Sequence, residues 1–345
     1  MLLADPPAFT PAYDHELAAA LARAGADVEL LTSRFRFGAA PEPAGYRRRE
    51  LFYPLSSRAF GRSRLRVPLK VLEHPLGLAR LGLAHPDVLH LQWLALPELD
   101  RWLLRSRAPL VFTAHDLLPR RTAAKRDLWR SLFGRFERIV VHSEHGRAAL
   151  AELGVPLEKL SVIPHPVTPS DPPRADDGRT VLALGVIRPY KQVDHAAAAV
   201  RRLADARLVV AGDPLGPLPD GLDGAELRLG YLPEAEIQRA LGEATVAVFP
   251  YRAELDQSGA LLQALGAGVP AVVYDVGGLP EPVRSYGAGR VVPADDVEAL
   301  AAALRELLDD PAALEAAREG ARRAREELTW DASAAAHLDL YRELT

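Results

Sequence analysis

The stretch "RIVVHSEHGRAALAELGVPLEKLSVIP", residues 138 to 164, decides the fold. It opens on a short apolar run, "RIVVHS" (138–143), and closes on another, "LSVIP" (160–164), with the amphipathic segment "EHGRAALAELG" between them. Runs of this length read as buried strands, and the segment between reads as a helix. Strand and helix alternating in this way predict a parallel sheet covered on both faces.

The alternation extends in both directions. Upstream lie "ADVELLT" (26–32), "DVLHLQW" (87–93) and "PLVFTAHD" (109–116), with helical patterns such as "AYDHELAAALARAG" among them. "MLLAD" offers a first strand of only four or so residues, short enough to suggest a natural start upstream. A segment rich in proline and acidic residues, "PHPVTPSDPPRADDGR" (164–179), then interrupts the pattern with the chemistry of a connection. The pattern restarts with "TVLALG" (180–185), "ARLVVAG" (206–212), "AELRLG" (225–230), "TVAVFPY" (245–251) and "PAVVYDVGG" (270–278). The fold class predicted is α/β, with doubly wound parallel-sheet domains over residues 1–170 and 171–330 and a helix over 331–345 that can cross back to the first. Two such sheets facing a central cleft bind ligands at the carboxyl ends of their strands.

Composition narrows the function. The 345 residues are 48% hydrophobic and 26% charged, and no window approaches the ~18 apolar residues of a membrane span. The absence of cysteine excludes disulfides, thiolate nucleophiles and cysteine-bound metal. No basic segment followed by a long apolar one opens the chain, so the cytoplasm is expected. Residues 1–170 carry 24 Lys and Arg against 17 Asp and Glu, a charge of +7, so the remainder of the net −4 is −11. A basic half joined to an acidic one suggests different partners for each. Nucleic acid fits poorly, because no aromatic platform accompanies the basic residues.

Candidate site residues fall just after strands. In "GVIRPYKQVD" (185–194), Arg188 and Lys191, one of only four lysines, precede a helix whose free N–H groups attract anions. Arg offers a fork and Lys a mobile point charge to a diphosphate; as plain loop cations both would simply be solvated. In "ELDQSGALLQALGAG" (254–268), Ser258 suits a helix N-cap and Gly259 lets a ligand approach the backbone, although a capped helix alone accounts for both.

Together with "LVVAGDP", "LGYLPEAEI" and "VAVFPYRAELDQSGALLQALGAGVPAVVYDVGGLPE", these pieces resemble the nucleotide-sugar domain of retaining glycosyltransferases of family four, which have the GT-B fold of two Rossmann-like domains. "FTAHDLLPR" and "IVVHSEHGRAALAELGVPLEKLSVIPHPV" are similar to that family's acceptor domain. The resemblance implies that Arg188 and Lys191 meet the donor diphosphate and that His115 of "TAHD" lies near the transferred sugar. It also implies donor contacts from Gly185, Tyr231, Leu232, Asp256, Gln257, Ser258, Gly259 and Gln263. Thr10, Pro11 and Asp116 are expected on the acceptor or sugar side. The family needs no divalent metal and no cofactor beyond its nucleoside-diphosphate sugar, and it favours front-face transfer to a hydroxyl acceptor.

Two departures stand out. The family's glycine-rich first loop is here "PPAFTPAY", and its paired glutamates fall at Leu255 and Gln263. A Gln amide accepts with one end and donates with the other, where a carboxylate accepts two ribose hydroxyls. These departures keep open a catalytically idle sugar-nucleotide-binding partner of another enzyme, and the two-sheet architecture keeps open a sugar-nucleotide epimerase. On the acceptor side, "RRTAAKRDLWRSLFGRFERI" (120–139) combines Leu128, Leu132 and Phe136 at helical spacing with many arginines. It reads either as a helix resting on the inner face of an anionic membrane or as a core helix with a basic exposed side. Residues 57–72 share that ambiguity.

Overall fold

The computed structural model describes residues 1–35, 38, 40–59, 66–119, 121–252 and 257–345. The chain forms two compact units, one of Met1–Pro164 with Trp330–Thr345 and one of His165–Thr329.

The first unit contains β1 (Leu2–Asp5), α1 (Pro11–Arg23), β2 (Glu29–Ser33), β3 (Arg47–Phe52), α2 (Ser56–Ala59), α3 (Arg66–Gly82), β4 (Leu89–Leu91), α4 (Pro97–Leu103), β5 (Leu110–Thr113), α5 (Arg126–Phe133), β6 (Arg138–Val141), α6 (Glu144–Glu152) and β7 (Leu160–Val162). Its sheet is parallel throughout, in the order β3, β2, β1, β4, β5, β6, β7. The two-residue period of a strand sorts the core into two layers. Leu2 and Ala4 join Leu31, Phe112 and Trp129 on one face, while Leu3 joins Leu17, Val111 and Val140 on the other. Ser143, two residues beyond β6, caps α6, accepting the Gly146 N–H at 2.8 Å.

Strand β3, "RRRELF", has no counterpart in the apolar pattern of the sequence. It lies at the sheet edge, where three arginines can remain in water and discourage pairing with another chain. Helix α5 corrects the membrane reading of residues 120–139. Leu128, Trp129, Leu132, Phe133 and Phe136 are all buried in the core, so its apolar stripe has no surface to offer a bilayer.

The second unit contains β8 (Thr180–Leu184), α7 (Val193–Val200), β9 (Arg207–Gly212), β10 (Glu226–Leu229), α8 (Glu234–Glu243), β11 (Val246–Phe249), α9 (Gly259–Gly266), β12 (Ala271–Tyr274), α10 (Pro280–Tyr286), β13 (Gly289–Val292), α11 (Val297–Asp309) and α12 (Pro311–Glu327). Its parallel sheet runs β10, β9, β8, β11, β12, β13. The last helix, α13 (Trp330–Arg342), belongs to the first unit. There the Tyr341 hydroxyl lies 2.6 Å from Nδ1 of buried His90, whose Nε2 is 2.8 Å from the Thr113 hydroxyl. Burial holds that imidazole well below its usual pKa, so it acts as a neutral core group.

The proline-rich segment belongs with the second unit from His165 onward, six residues before the boundary expected from sequence. Small residues on two helices explain why. A Cβ on Gly266 of α9 would stand 2.3 Å from the Thr168 carbonyl oxygen, and one on Gly242 of α8 would stand 2.3 Å from that of Pro173. The segment lies against these bare helix faces, donating from Ser170 to the Gly266 carbonyl at 3.1 Å and from Ala175 to the Gly242 carbonyl at 3.0 Å.

Candidate functional site

In both units the strand order reverses beside the first strand, between β1 and β4 and between β8 and β11. Such switch points open a crevice at the carboxyl ends of the strands.

In the second unit, Gly185 follows β8 and Gly212 ends β9. A Cβ on Gly212 would fall 2.1 Å from the Gly185 carbonyl oxygen, so only glycine allows this approach. Gly185 itself has φ of 102°, a backbone that side chains disfavour. The chain then forms a tight turn, Pro189–Lys191, before Gln192 takes the left-handed conformation at φ 44° and leads into α7. The Gln192 amide nitrogen fixes that turn by donating to Asp295 at 2.6 Å.

This turn sends Lys191 back toward the switch point. Its ammonium lies 4.8 Å from the centroid of the Tyr251 ring, and it makes no hydrogen bond or ion pair among the described residues. Burial, with a smaller contribution from Arg188, pushes its pKa down to about 8. Arg188 is extended and exposed at the start of the same turn.

Tyr251 is buried between Tyr190 and Phe249, with both ring centroids 5.8 Å away. Ser258 caps α9, accepting the Leu261 N–H at 3.4 Å, and its hydroxyl is 3.5 Å from that of Tyr251. Gln257 donates from Nε2 to the Gly278 carbonyl at 3.0 Å. At Gly259 a Cβ would meet nothing within 4 Å, leaving open space at the start of the helix. Asp256, together with Glu254 and Leu255, lies outside the described residues. A neighbouring cleft of about 290 Å³ is lined by Gly185, Tyr231, Leu232 and Gln263, with Asp213 and Glu234 among its polar groups. Thus Gly185 joins two groups, Lys191 with Tyr251 on one side and Gln263 with Tyr231 on the other.

In the first unit, Thr10 precedes α1 and Pro11 opens it. The Trp93 indole N–H donates to the Thr10 hydroxyl at 2.8 Å, and the Trp93 ring stacks on His115 at 5.2 Å. Gln92 Oε1 is 2.9 Å from His115 Nε2, while the Tyr13 ring meets the imidazole edge-on at 4.7 Å. Thr10 and His115 are thus bridged by Trp93. Asp116 follows, exposed. His142 directs Nδ1 to the Ile163 carbonyl at 2.9 Å and His165 directs Nδ1 to that of Pro166 at 2.7 Å, both structural bonds.

Several residues at these strand ends carry no motif. Buried Asp5 accepts the Thr10 N–H at 3.2 Å, and the carboxyl of buried Asp14, 3.5 Å from the Thr10 hydroxyl, is close enough to Asp5 to interact with it. Burial raises both pKa values, and the Asp5 charge raises Asp14 further. The signal for Asp5 was its place at the end of an apolar run. Asp14, by contrast, looks like any polar residue in the first turn of a helix. Among the described residues, no group of three or more His, Cys, Asp or Glu side chains is arranged to hold a metal ion.

Residues 13–171 match the family model described as Glycosyltransferase Family 4, and residues 178–310 match that of Glycosyl transferases group 1. The chain is 27% identical to a D-inositol 3-phosphate glycosyltransferase of Mycobacterium avium, over 96% of this chain and 88% of the relative. It is 36% identical to an exopolysaccharide phosphotransferase of Streptomyces coelicolor over 54% of its own length, spanning about a fifth (21%) of that longer protein. Among solved structures, sucrose-phosphate synthase from Thermosynechococcus elongatus matches 99% of this chain and 98% of its own with a TM-score of 0.75 at 20% identity. Anabaena HepE in complex with UDP and glucose matches 99% of both chains with a TM-score of 0.72 at 14% identity.

Two Rossmann-like units with these structural neighbours define a GT-B protein. The chain belongs to the family four glycosyltransferases.

Proposed function

We propose that the protein moves a sugar from a nucleoside-diphosphate sugar to a hydroxyl acceptor, with retention of configuration and without a metal. The observation that carries this reading is Lys191, a buried ammonium with no acidic partner among the described residues, held at the switch point of the second sheet. A desolvated cation without a counter-charge is destabilising unless an anion completes it. A diphosphate does so, and its charge grows as the sugar–oxygen bond breaks. Lys191, with Arg188 at the mouth of the turn, therefore stabilises the transition state more than the substrate. Front-face transfer lets the departing phosphate oxygen take the acceptor's proton, with the sugar passing to the acceptor oxygen on the same face. The part played by the first unit is to orient the acceptor beside His115, which Gln92 and Trp93 hold in place.

The test begins with calorimetric titration of UDP, GDP, ADP and TDP, with and without magnesium. Metal-independent binding of one nucleotide then names the donor for transfer assays. Arg188→Ala and Lys191→Met are each expected to reduce turnover by about 100-fold or more. Near-normal turnover in both variants would overturn the donor-site assignment.

Gln263, facing the cleft in place of a carboxylate, supports a second reading in which the protein binds the sugar nucleotide as the partner of another enzyme. Binding without transfer to any acceptor in a broad screen is the result that selects it.

A further inference from the structure

Of the chain's four lysines, Lys125 pairs with Glu98 at 2.9 Å and Lys159 donates to the Gly134 and Phe136 carbonyls at 3.0 and 2.7 Å. The other two are Lys191 in the second unit and Lys70 on α3 of the first. They are held alike. Each ammonium lies over a tyrosine ring just past the end of a strand, Lys191 at 4.8 Å from the Tyr251 centroid and Lys70 at 4.6 Å from that of Tyr53. Neither makes a hydrogen bond or an ion pair among the described residues.

Tyr53 is a fixed platform. It adopts the left-handed backbone at φ 52°, which a side chain keeps only where its surroundings impose it. Its hydroxyl lies 2.7 Å from His74 Nδ1, His74 Nε2 lies 2.5 Å from Asp100 Oδ1, and Asp100 Oδ2 accepts the Leu96 N–H at 2.9 Å, with Tyr53, His74 and Asp100 all buried. Glu73 accepts the N–H groups of Leu55 and Ser56 at 2.7 and 2.9 Å, which ties α3 to the chain that follows the platform. Lys70, one helical turn before His74, is thereby held half-buried at the carboxyl end of the sheet.

Its charge is left without a partner. The ring attracts a cation but carries no net charge. Arg66, four residues earlier and so on the same side of the helix, adds a second cation, and it too makes no ion pair among the described residues. Asp5 and Asp100 act on Lys70 from beyond ion-pairing distance, Asp5 holding the Thr10 N–H and Asp100 holding His74 and Leu96. Burial, followed by the charge of Arg66, lowers the pKa of Lys70, as for an ammonium that lacks a counter-charge. A planar fork beside a mobile point charge suits a compact oxyanion. We propose that Lys70 and Arg66 form a second anion site, which receives a phosphate or carboxylate carried by the hydroxyl acceptor. The anion site stands on the geometry of the first unit alone, while its assignment to the acceptor rests on the transfer reaction proposed above.

The test is calorimetric titration of the Lys191→Met chain, in which the donor cation is absent, with glucose 6-phosphate, glucuronate, dihexanoyl phosphatidic acid and uncharged glucose. At least one of the three oxyanions is expected to bind, and glucose is not. Adding Lys70→Met, which keeps an unbranched side chain over Tyr53, is expected to weaken that binding by about tenfold or more. Arg66→Gln is expected to weaken it by about threefold, and Lys70→Arg, which keeps the charge and stacks on the ring, to retain most of it. Binding of the lipid alone identifies a lipid-linked acceptor and binding of the sugar forms a soluble one, and either supports the site. Lys70→Met in the otherwise native chain should leave circular dichroism and nucleotide affinity unchanged, so failure of the native chain to bind nucleotides overturns the donor reading alone. No oxyanion binding by the Lys191→Met chain, or undiminished binding after Lys70→Met, overturns the anion site. Equal turnover of charged and uncharged acceptors, with oxyanion binding intact, overturns its assignment to the acceptor.

Discussion

The ammonium of Lys191 lies 3.1 Å from the point that a Cβ on Gly185 would occupy. The glycine therefore makes the room into which the lysine folds back, and the residues bracketing the turn act as one device.

Gly185→Ala tests that dependence. The added methyl meets both Lys191 Nζ and the Ala260 Cβ at 3.1 Å, on a backbone of φ 102°. Destabilisation of about 1–3 kcal/mol is expected in urea unfolding. If Lys191 meets the donor as proposed, nucleotide affinity should fall further than that of a protein merely made less stable.

The pH dependence of nucleotide binding has a definite sign. Lys191 has its pKa lowered to about 8, so the free protein loses this charge as pH rises through that value. A bound diphosphate favours the ammonium and raises its pKa again. Calorimetry in buffers of different ionisation enthalpy should show proton uptake on binding above about pH 8 and declining affinity there. Lys191→Met removes both effects. The same depression means that the folded state binds fewer protons than the unfolded, so the lysine's cost to stability is fully present below the folded value and is relieved as pH rises above it. Lys191→Met is thus expected to raise the melting temperature at neutral pH while reducing turnover.

Gln263→Glu restores an acceptor for two hydroxyl hydrogens at the wall of the cleft that contains Gly185. Nucleotide affinity is expected to increase about five- to tenfold. Loss of affinity would indicate that the amide's donor end is the one in use.

Asp14→Asn keeps the shape of the side chain beside Asp5 and removes the titration. Asp14 has its pKa raised well above the usual carboxylate range by burial and by Asp5, so its cost to stability is absent below the unfolded pKa, grows as pH rises toward the folded one and is constant above it. The variant should be more stable than the native chain at pH 8, by about 1–2 kcal/mol, with the gap narrowing at pH 4.

Much of this arrangement was legible in the sequence because apolar strands and their following turns are local. "TVLAL" and "TVAVF" mark themselves, and Arg188, Lys191 and Ser258 stand where strand ends must be. What escaped depends on partners distant in the chain. β3 is hidden because an edge strand needs no apolar alternation, and three arginines mask it. Helices α3 and α5 show the same limit in opposite senses. Both mix leucines with arginines, yet α5 buries its apolar side under the sheet while α3 buries Leu78 and Leu81 together with polar Glu73 and His74 and leaves Leu72 and Leu76 exposed, a choice made by Glu73 and His74 through residues 17 to 26 positions away. The paired role of Asp5 and Asp14 likewise exists only once α1 folds back on β1.

The Val167 N–H donates to the Leu328 carbonyl at 2.8 Å, so the segment entering the second unit and the segment leaving it are tied to each other. The unit is consequently a cassette, spliced into the first by two neighbouring seams. A recombination event cutting at both seams can exchange the entire second unit while every strand of the other sheet keeps its order, and α13 remains with the half it packs against. The two units can then evolve as separately inherited parts.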